Sequence, residues 1–145
     1  MNNKEKGEKG QSKLIGFLAD FDVDIALPLS DNLPWDMIIV KDGIPKKIQV
    51  KTSEDKGKTS NSIRFDFRRC NWHKKTQKTY SSDEIDAIVG FDKIDNEFFI
   101  FLPSVFEDKS TLTLRKEVAK NGQKKGVKMA KDYLLNEKSI KLIFY

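Results

Sequence analysis

Apolar residues along the chain fall into two periods, and each predicts a different kind of element. From Glu8 onward Leu14, Ile15, Leu18 and Phe21 recur at helical spacing, with Ser12, Lys13 and Asp20 between them. This predicts a first amphipathic helix behind a polar, frayed stretch at residues 1–5, although Gly10 and Gly16 lower its intrinsic propensity. Val23, Ile25 and Leu27 alternate, which predicts a strand over 21–29 with Pro28 and residues 30–34 as its exit. Met37 to Val40 is a nearly continuous apolar run, the pattern of a strand covered on both faces. Residues 53–61 are polar and read as a loop or the tip of a ribbon.

Ile63, Phe65 and Phe67 alternate with Arg64, Asp66 and Arg68, so one apolar and one polar face are expected, with Arg64 and Arg68 together on the polar one. Strands over 85–91 and 98–102 are predicted as an antiparallel pair joined at 93–96 and ended by Pro103. Beyond them, 104–107 reads as a turn of helix and 111–114 as a short strand. Val127, Ala130, Tyr133 and Leu134 would line a short second helix, and Ile140, Leu142 and Phe144 alternate as a closing strand.

The middle of this pattern is a hairpin. Asp42-Gly43 favours the positive dihedrals of a two-residue primed turn between two apolar-rich arms. Counting back from that turn sets Asp36 opposite Gln49, with Lys51 on the same face and Met37, Ile39, Ile48 and Val50 on the other. Pro45 donates nothing to a ladder and points to an edge or bulge. A carboxylate, an amide and an ammonium thus converge at one end of a hairpin whose reverse face is core. If the first helix packs on that reverse face, its N-terminal turn overhangs Asp36 and brings Glu8 or Gln11 toward it.

The aspartate after Pro34-Trp35 and the hairpin ending Gln49-Val50-Lys51-Thr52-Ser53 resemble the signature of the metal-dependent PD-(D/E)XK nuclease superfamily. The likeness is closest to its small members encoded in group I introns. Lys6-Gly7-Glu8-Lys9-Gly10-Gln11, Pro28-Leu29-Ser30-Asp31-Asn32, Tyr80 followed by Ile85-Asp86, and the strand ending at Pro103 belong to the same resemblance, which spans about residues 6–103. It implies an α/β fold: a single restriction-endonuclease-like domain over 1–145, with a mixed central β-sheet flanked by helices. Two positions depart from the family pattern. Gln49 replaces the usual acid before the lysine, and Gln11 stands where the first helix usually offers a glutamate, with Glu8 about one turn earlier.

The chemistry implied is hydrolysis of a DNA phosphodiester with magnesium or manganese. Asp36, the Gln49 side-chain carbonyl and the Val50 backbone carbonyl would be the metal ligands, Lys51 would act on the attacking water, and Gln11 or Glu8 would stand in the position of the helix acid. The resemblance also implies homing on double-stranded DNA by a homo-oligomer, a dimer or a tetramer. A Holliday-junction resolvase or repair nuclease shares the same core. A basic DNA-binding module in which Asp36 and Lys51 only form an ion pair is the reading without catalysis.

Composition narrows the partners. The 145 residues carry a formal charge of +5, with 38% hydrophobic and 34% charged residues, compatible with a globular protein that contacts a polyanion. Charges interrupt every apolar run before the roughly 20 residues a membrane span needs, and no secretory h-region is present, so a cytoplasmic, non-membrane location is expected. Cys70 is the only cysteine, and with His73 it is too small a set for a structural zinc site. The basic and aromatic run at 69–80 suits DNA contacts through Arg69, Trp72, Lys74, Lys75 and Lys78, joined by Arg64, Arg68, Lys56 and Lys58. The bland alternative is a solvated connection with Trp72 and Tyr80 tucked into the core. Lys124, Lys125 and Lys128 form a further basic patch. Leu112, Leu114, Ile140, Leu142, Phe144 and Tyr145 are interface candidates because they are extra to a minimal nuclease core.

Overall fold

In a computed structural model, residues 2–53, 61–71, 76–118, 121–122 and 125–145 are described, with the backbone alone at 3, 70 and 71. Helix α1 (Asn3–Leu18) begins earlier than its apolar stripe predicts. The Asn2 side chain accepts from the Glu5 backbone N–H while the Glu5 carboxylate accepts from that of Asn2, a capping box that orders residues expected to fray. Leu14 and Leu18 face the core.

The predicted first strand shrinks to β1 (Asp24–Ala26), and Leu27 beyond it is exposed. Strands β2 (Met37–Lys41) and β3 (Ile44–Ser53) form the hairpin. Asp42 and Gly43 both have positive φ, as a primed turn requires. Met37 pairs with Ile48 and Lys41 with Ile44, which is the register the sequence predicts. Pro45 lies next to the turn and pairs with Val40, so it makes no bulge among the paired residues.

Next come β4 (Ser62–Asp66), β5 (Arg69–Asn71), β6 (Thr76–Lys78), β7 (Ala87–Asp92) and β8 (Glu97–Phe101). They are followed by α2 (Pro103–Phe106), β9 (Thr111–Arg115), a 3-10 turn (Ala130–Tyr133) and α3 (Glu137–Lys141). The central sheet has five strands in the order β1-β2-β3-β7-β8, with β3 and β7 parallel and the other neighbours antiparallel. β4 and β9 form a separate antiparallel pair, and β5 and β6 a short ribbon.

The expected mixed sheet flanked by helices is present, and alternation along β7 explains its two cores. Ala87, Val89 and Phe91 join Leu14, Leu18, Met37, Ile39, Ile48 and Val50 under α1. Ile88 faces the opposite way, with Phe101 of β8, toward Phe65, Phe67, Phe106 and Leu114 of the β4–β9 layer and α2. Gln49, Lys51 and Ser53 look toward that second layer by the same alternation, and the Ser53 hydroxyl donates to the Arg64 carbonyl.

Two C-terminal expectations are corrected. The helix expected through 127–134 is only the 3-10 turn. The closing strand is helix α3, because Asn136 caps it reciprocally with Ser139 and places Ile140, Ile143 and Phe144 on one buried face. Leu112, Leu114, Ile140 and Phe144 are therefore interior residues, not surface ones; Leu142 and Tyr145 remain exposed. Among the described residues no helix is long and apolar enough to cross a membrane.

Candidate active site

Gly10 determines how closely α1 can lie on β3. A Cβ at this position would fall 2.1 Å from Thr52 Oγ1, so only glycine allows the observed approach. The next residue, Gln11, donates its side-chain amide to the backbone carbonyl of Asp36 at 3.2 Å. Glu8 is exposed, and its backbone carbonyl accepts from Ser12 Oγ. Of the two residues proposed for the helix position, Gln11 is the one brought to Asp36.

Asp36 is tied to β3 twice. Its backbone N–H donates to the Ile48 carbonyl at 2.8 Å, and its Oδ2 accepts from the Val50 N–H at 2.9 Å. Burial pushes the pKa of this carboxyl up, against the opposing pull of the Val50 hydrogen bond and the Lys51 charge. On β3, Gln49 donates Nε2 to the Val50 carbonyl at 3.3 Å. That geometry assigns the amide nitrogen to the backbone and leaves the side-chain oxygen as the remaining acceptor. Lys51 donates Nζ to the Arg68 carbonyl at 3.0 Å and lies 5.1 Å from the centroid of the buried Tyr80 ring. Its charge acts on both Asp36 and Asp66.

The donors at this end of the hairpin are all oxygens: the Asp36 carboxylate, the Gln49 amide oxygen and the Val50 carbonyl. Such a set fits a hard divalent ion in kind, with a single negative charge. The Val50 carbonyl is engaged by Gln49, so ligation there competes with that hydrogen bond.

A sequence model of the PD-(D/E)XK endonuclease family matches residues 1–136. The chain belongs to that family. The match runs well past residue 103, where the sequence resemblance faded, in keeping with the buried positions of the C-terminal apolar residues. The solved structure of a bacterial homing endonuclease, I-Ssp6803I, superposes with a TM-score of 0.78 over 99% of this chain and 93% of that one, at 23% identity. The two share a fold. No curated protein matches the chain.

For this PD-(D/E)XK endonuclease, the structure locates the basic residues expected to meet DNA unevenly. Arg64 is exposed on β4. Arg68 does not continue that strand: its guanidinium clasps Asp66 through Nε at 3.0 Å and Nη2 at 2.7 Å, and reaches Gln77 at 3.2 Å. This clasp holds the Asp66 carboxyl below its ordinary pKa. Arg69 lies 3.4 Å from Glu84 and donates to the Asn32 carbonyl, and Lys78 lies 3.6 Å from the same glutamate. Lys125 is exposed and Lys128 half-buried. Lys56, Lys58, Trp72, His73, Lys74, Lys75 and Lys124 lie outside the described residues. Tyr80 is buried, as the bland reading of its segment expected.

A polar cluster was missed in the sequence. Asp92, Asp95 and Glu97 bring three carboxylates together, and the Lys116 ammonium sits among them, bonded to Asp92 and Asp95 and 3.3 Å from Glu97. Burial pulls the Lys116 pKa down, but the bonds to these acids outweigh it and hold the pKa above that of an ordinary lysine. The buried Asp92 also accepts the backbone N–H groups of Ile94 and Asp95 in the β7–β8 turn. A cation entering this cluster would have to displace Lys116. Crowded acids at 92–97 were the only local signal; the lysine comes from a segment remote in sequence.

Proposed function

We propose that the protein is a metal-dependent, site-specific endonuclease of double-stranded DNA, of the homing type. The observation that supports this best is the convergence at one hairpin end: Asp36 latched to Val50, Gln49 and Lys51 on either side of Val50 in β3, and Gln11 at the Asp36 backbone. A bound magnesium or manganese ion would supply Lewis-acid polarisation of the scissile phosphate and stabilise charge on its transition state. Asp36, the Gln49 side-chain oxygen and the Val50 carbonyl are the proposed ligands. Lys51 orients the attacking water and offsets phosphate charge. Gln11 occupies the helix position without contributing a negative charge.

The β5–β6 ribbon, with its exposed Gln77 and Lys78, has the two-stranded form that a major groove admits, which favours sequence reading on a linear duplex over junction recognition. Arg64, Arg68, Arg69 and Lys78 are the proposed DNA contacts within the described residues. One conventional interface of about 1,000–2,500 Å² from a subunit this small does not cover a long homing target, so a homo-oligomer is proposed, a dimer at minimum. A cytoplasmic working location is proposed with it.

The test is single-turnover cleavage with magnesium and with EDTA, using the unaltered chain and Gln11→Glu on linear duplexes and on four-way junctions. Magnesium-dependent cutting of a defined linear site supports the proposal. Preferential cutting of junctions supports a resolvase instead, and tight binding with no cutting by either protein supports the DNA-binding module.

A further inference from the structure

We propose that the cleft between α1 and the β7–β8 turn is a phosphate-binding groove that holds the DNA backbone on the α1 side of the central sheet. The proposal rests on the DNA-endonuclease reading. The cleft encloses about 240 Å³, and its lining includes Lys6, Lys9, Lys13 and Lys93 together with Thr52 and Asn96, with no carboxylate among the described residues that line it. Lys6, Lys9 and Lys13 recur at three- and four-residue spacing, so they share one helix face, where like charges repel. The nearby helix acids do not neutralise them inside the cleft. Glu5 accepts the Asn2 N–H in the capping box, and Glu8 is exposed and outside the lining.

The shape follows from Gly10, which also lines the cleft. Because it lets α1 close onto Thr52, the lysines surround a concavity floored by Phe91. Ammonium groups with a hydroxyl and an amide around a concave site match a phosphodiester anion, and they repel a cation. The cleft continues along α1 into a second one that shares Lys9, Lys13 and Asn96 and reaches Phe17 and Phe98. A site that runs on in this way suits a polymeric anion better than a small one.

The test is anisotropy titration of a fluorescein-labelled duplex in EDTA over a range of salt concentrations, which reads binding without cleavage. Lys9 and Lys13 are the positions to change, because Lys6 and Lys93 also have partners within the protein. The double variant Lys9→Gln/Lys13→Gln keeps good helix formers and should reduce the slope of log affinity against log salt by about 1.8 on cognate and random duplexes alike. Lys9→Arg/Lys13→Arg should retain the slope. An unchanged slope in a glutamine variant that still binds DNA overturns the groove and leaves the endonuclease reading standing. No binding by the unaltered chain overturns both. Displacement of the duplex by inorganic phosphate, beyond that by chloride of equal ionic strength, would mark a small-anion site and also overturn the assignment.

Discussion

The Gln11 side-chain amide and the Asp36 backbone carbonyl are joined by a 3.2 Å hydrogen bond, which ties α1 to the residue just before the β2–β3 hairpin. Because the acceptor is a carbonyl, it is the amide nitrogen that binds it. A glutamate at position 11 would bring an acceptor against an acceptor unless its oxygens turned outward toward a cation.

Gln11→Glu should therefore show opposite effects with and without metal. In EDTA it should lose about 1 kcal/mol of stability with the hydrogen bond. In magnesium it should raise single-turnover cleavage by at least about tenfold, roughly 1.4 kcal/mol of transition-state stabilisation. Denaturant titration and quenched-flow cleavage measure the two halves. No gain from Gln11→Glu together with loss of activity in Glu8→Gln would transfer the helix role to position 8.

Asp36→Asn should abolish cleavage yet stabilise the metal-free protein at neutral pH. The folded-state pKa of Asp36 lies above the ordinary 3.8, so the native state binds its proton more tightly than the unfolded chain does. Stability from this group is therefore full below the unfolded value and declines as pH rises through the folded one. Asparagine keeps an acceptor for the Val50 N–H and escapes that decline. Melting curves in EDTA should show the variant ahead at pH 7 and the advantage gone in acid; a variant less stable at both would refute the assignment.

Gly90→Ala tests the second core. Its Cβ would lie 2.7 Å from two Phe65 ring atoms and 3.0 Å from Phe101, inside a packed aromatic group. The expected cost is about 1–3 kcal/mol, read as a lower denaturation midpoint. An unchanged midpoint would mean that the β4–β9 layer yields easily.

Glu84→Gln should strengthen DNA binding. The glutamate holds Arg69 and Lys78 by charge, while its Oε1 accepts from Ser81, a bond that glutamine can keep. Releasing the two cations should raise affinity up to about fivefold at low salt, near the ~1 kcal/mol upper range for an exposed pair. Equal or weaker binding by the variant would remove Arg69 and Lys78 from the proposed contact surface.

What the sequence determined by itself was local. Asp42-Gly43 and the alternation around it specified the register that pairs Met37 with Ile48, because a two-residue turn leaves one pairing that buries Met37, Ile39, Ile48 and Val50 together. Where two periods fit the same residues, local reading failed: Ile140, Leu142 and Phe144 alternate as in a strand, but burial selects Ile140, Ile143 and Phe144, the helical set capped by Asn136. The partners of charged groups were decided only by the tertiary structure. Lys51 resting on the Arg68 carbonyl, Arg68 turning back to Asp66, and Lys116 entering the acids of the β7–β8 turn all depend on how the layers stack. Long side chains reach whatever the packing brings near, and the periodicity of a single strand or helix carries no information about remote segments. The same holds for Gln11, whose identity is written in the sequence but whose contact with Asp36 requires α1 to lie against β3 at Gly10.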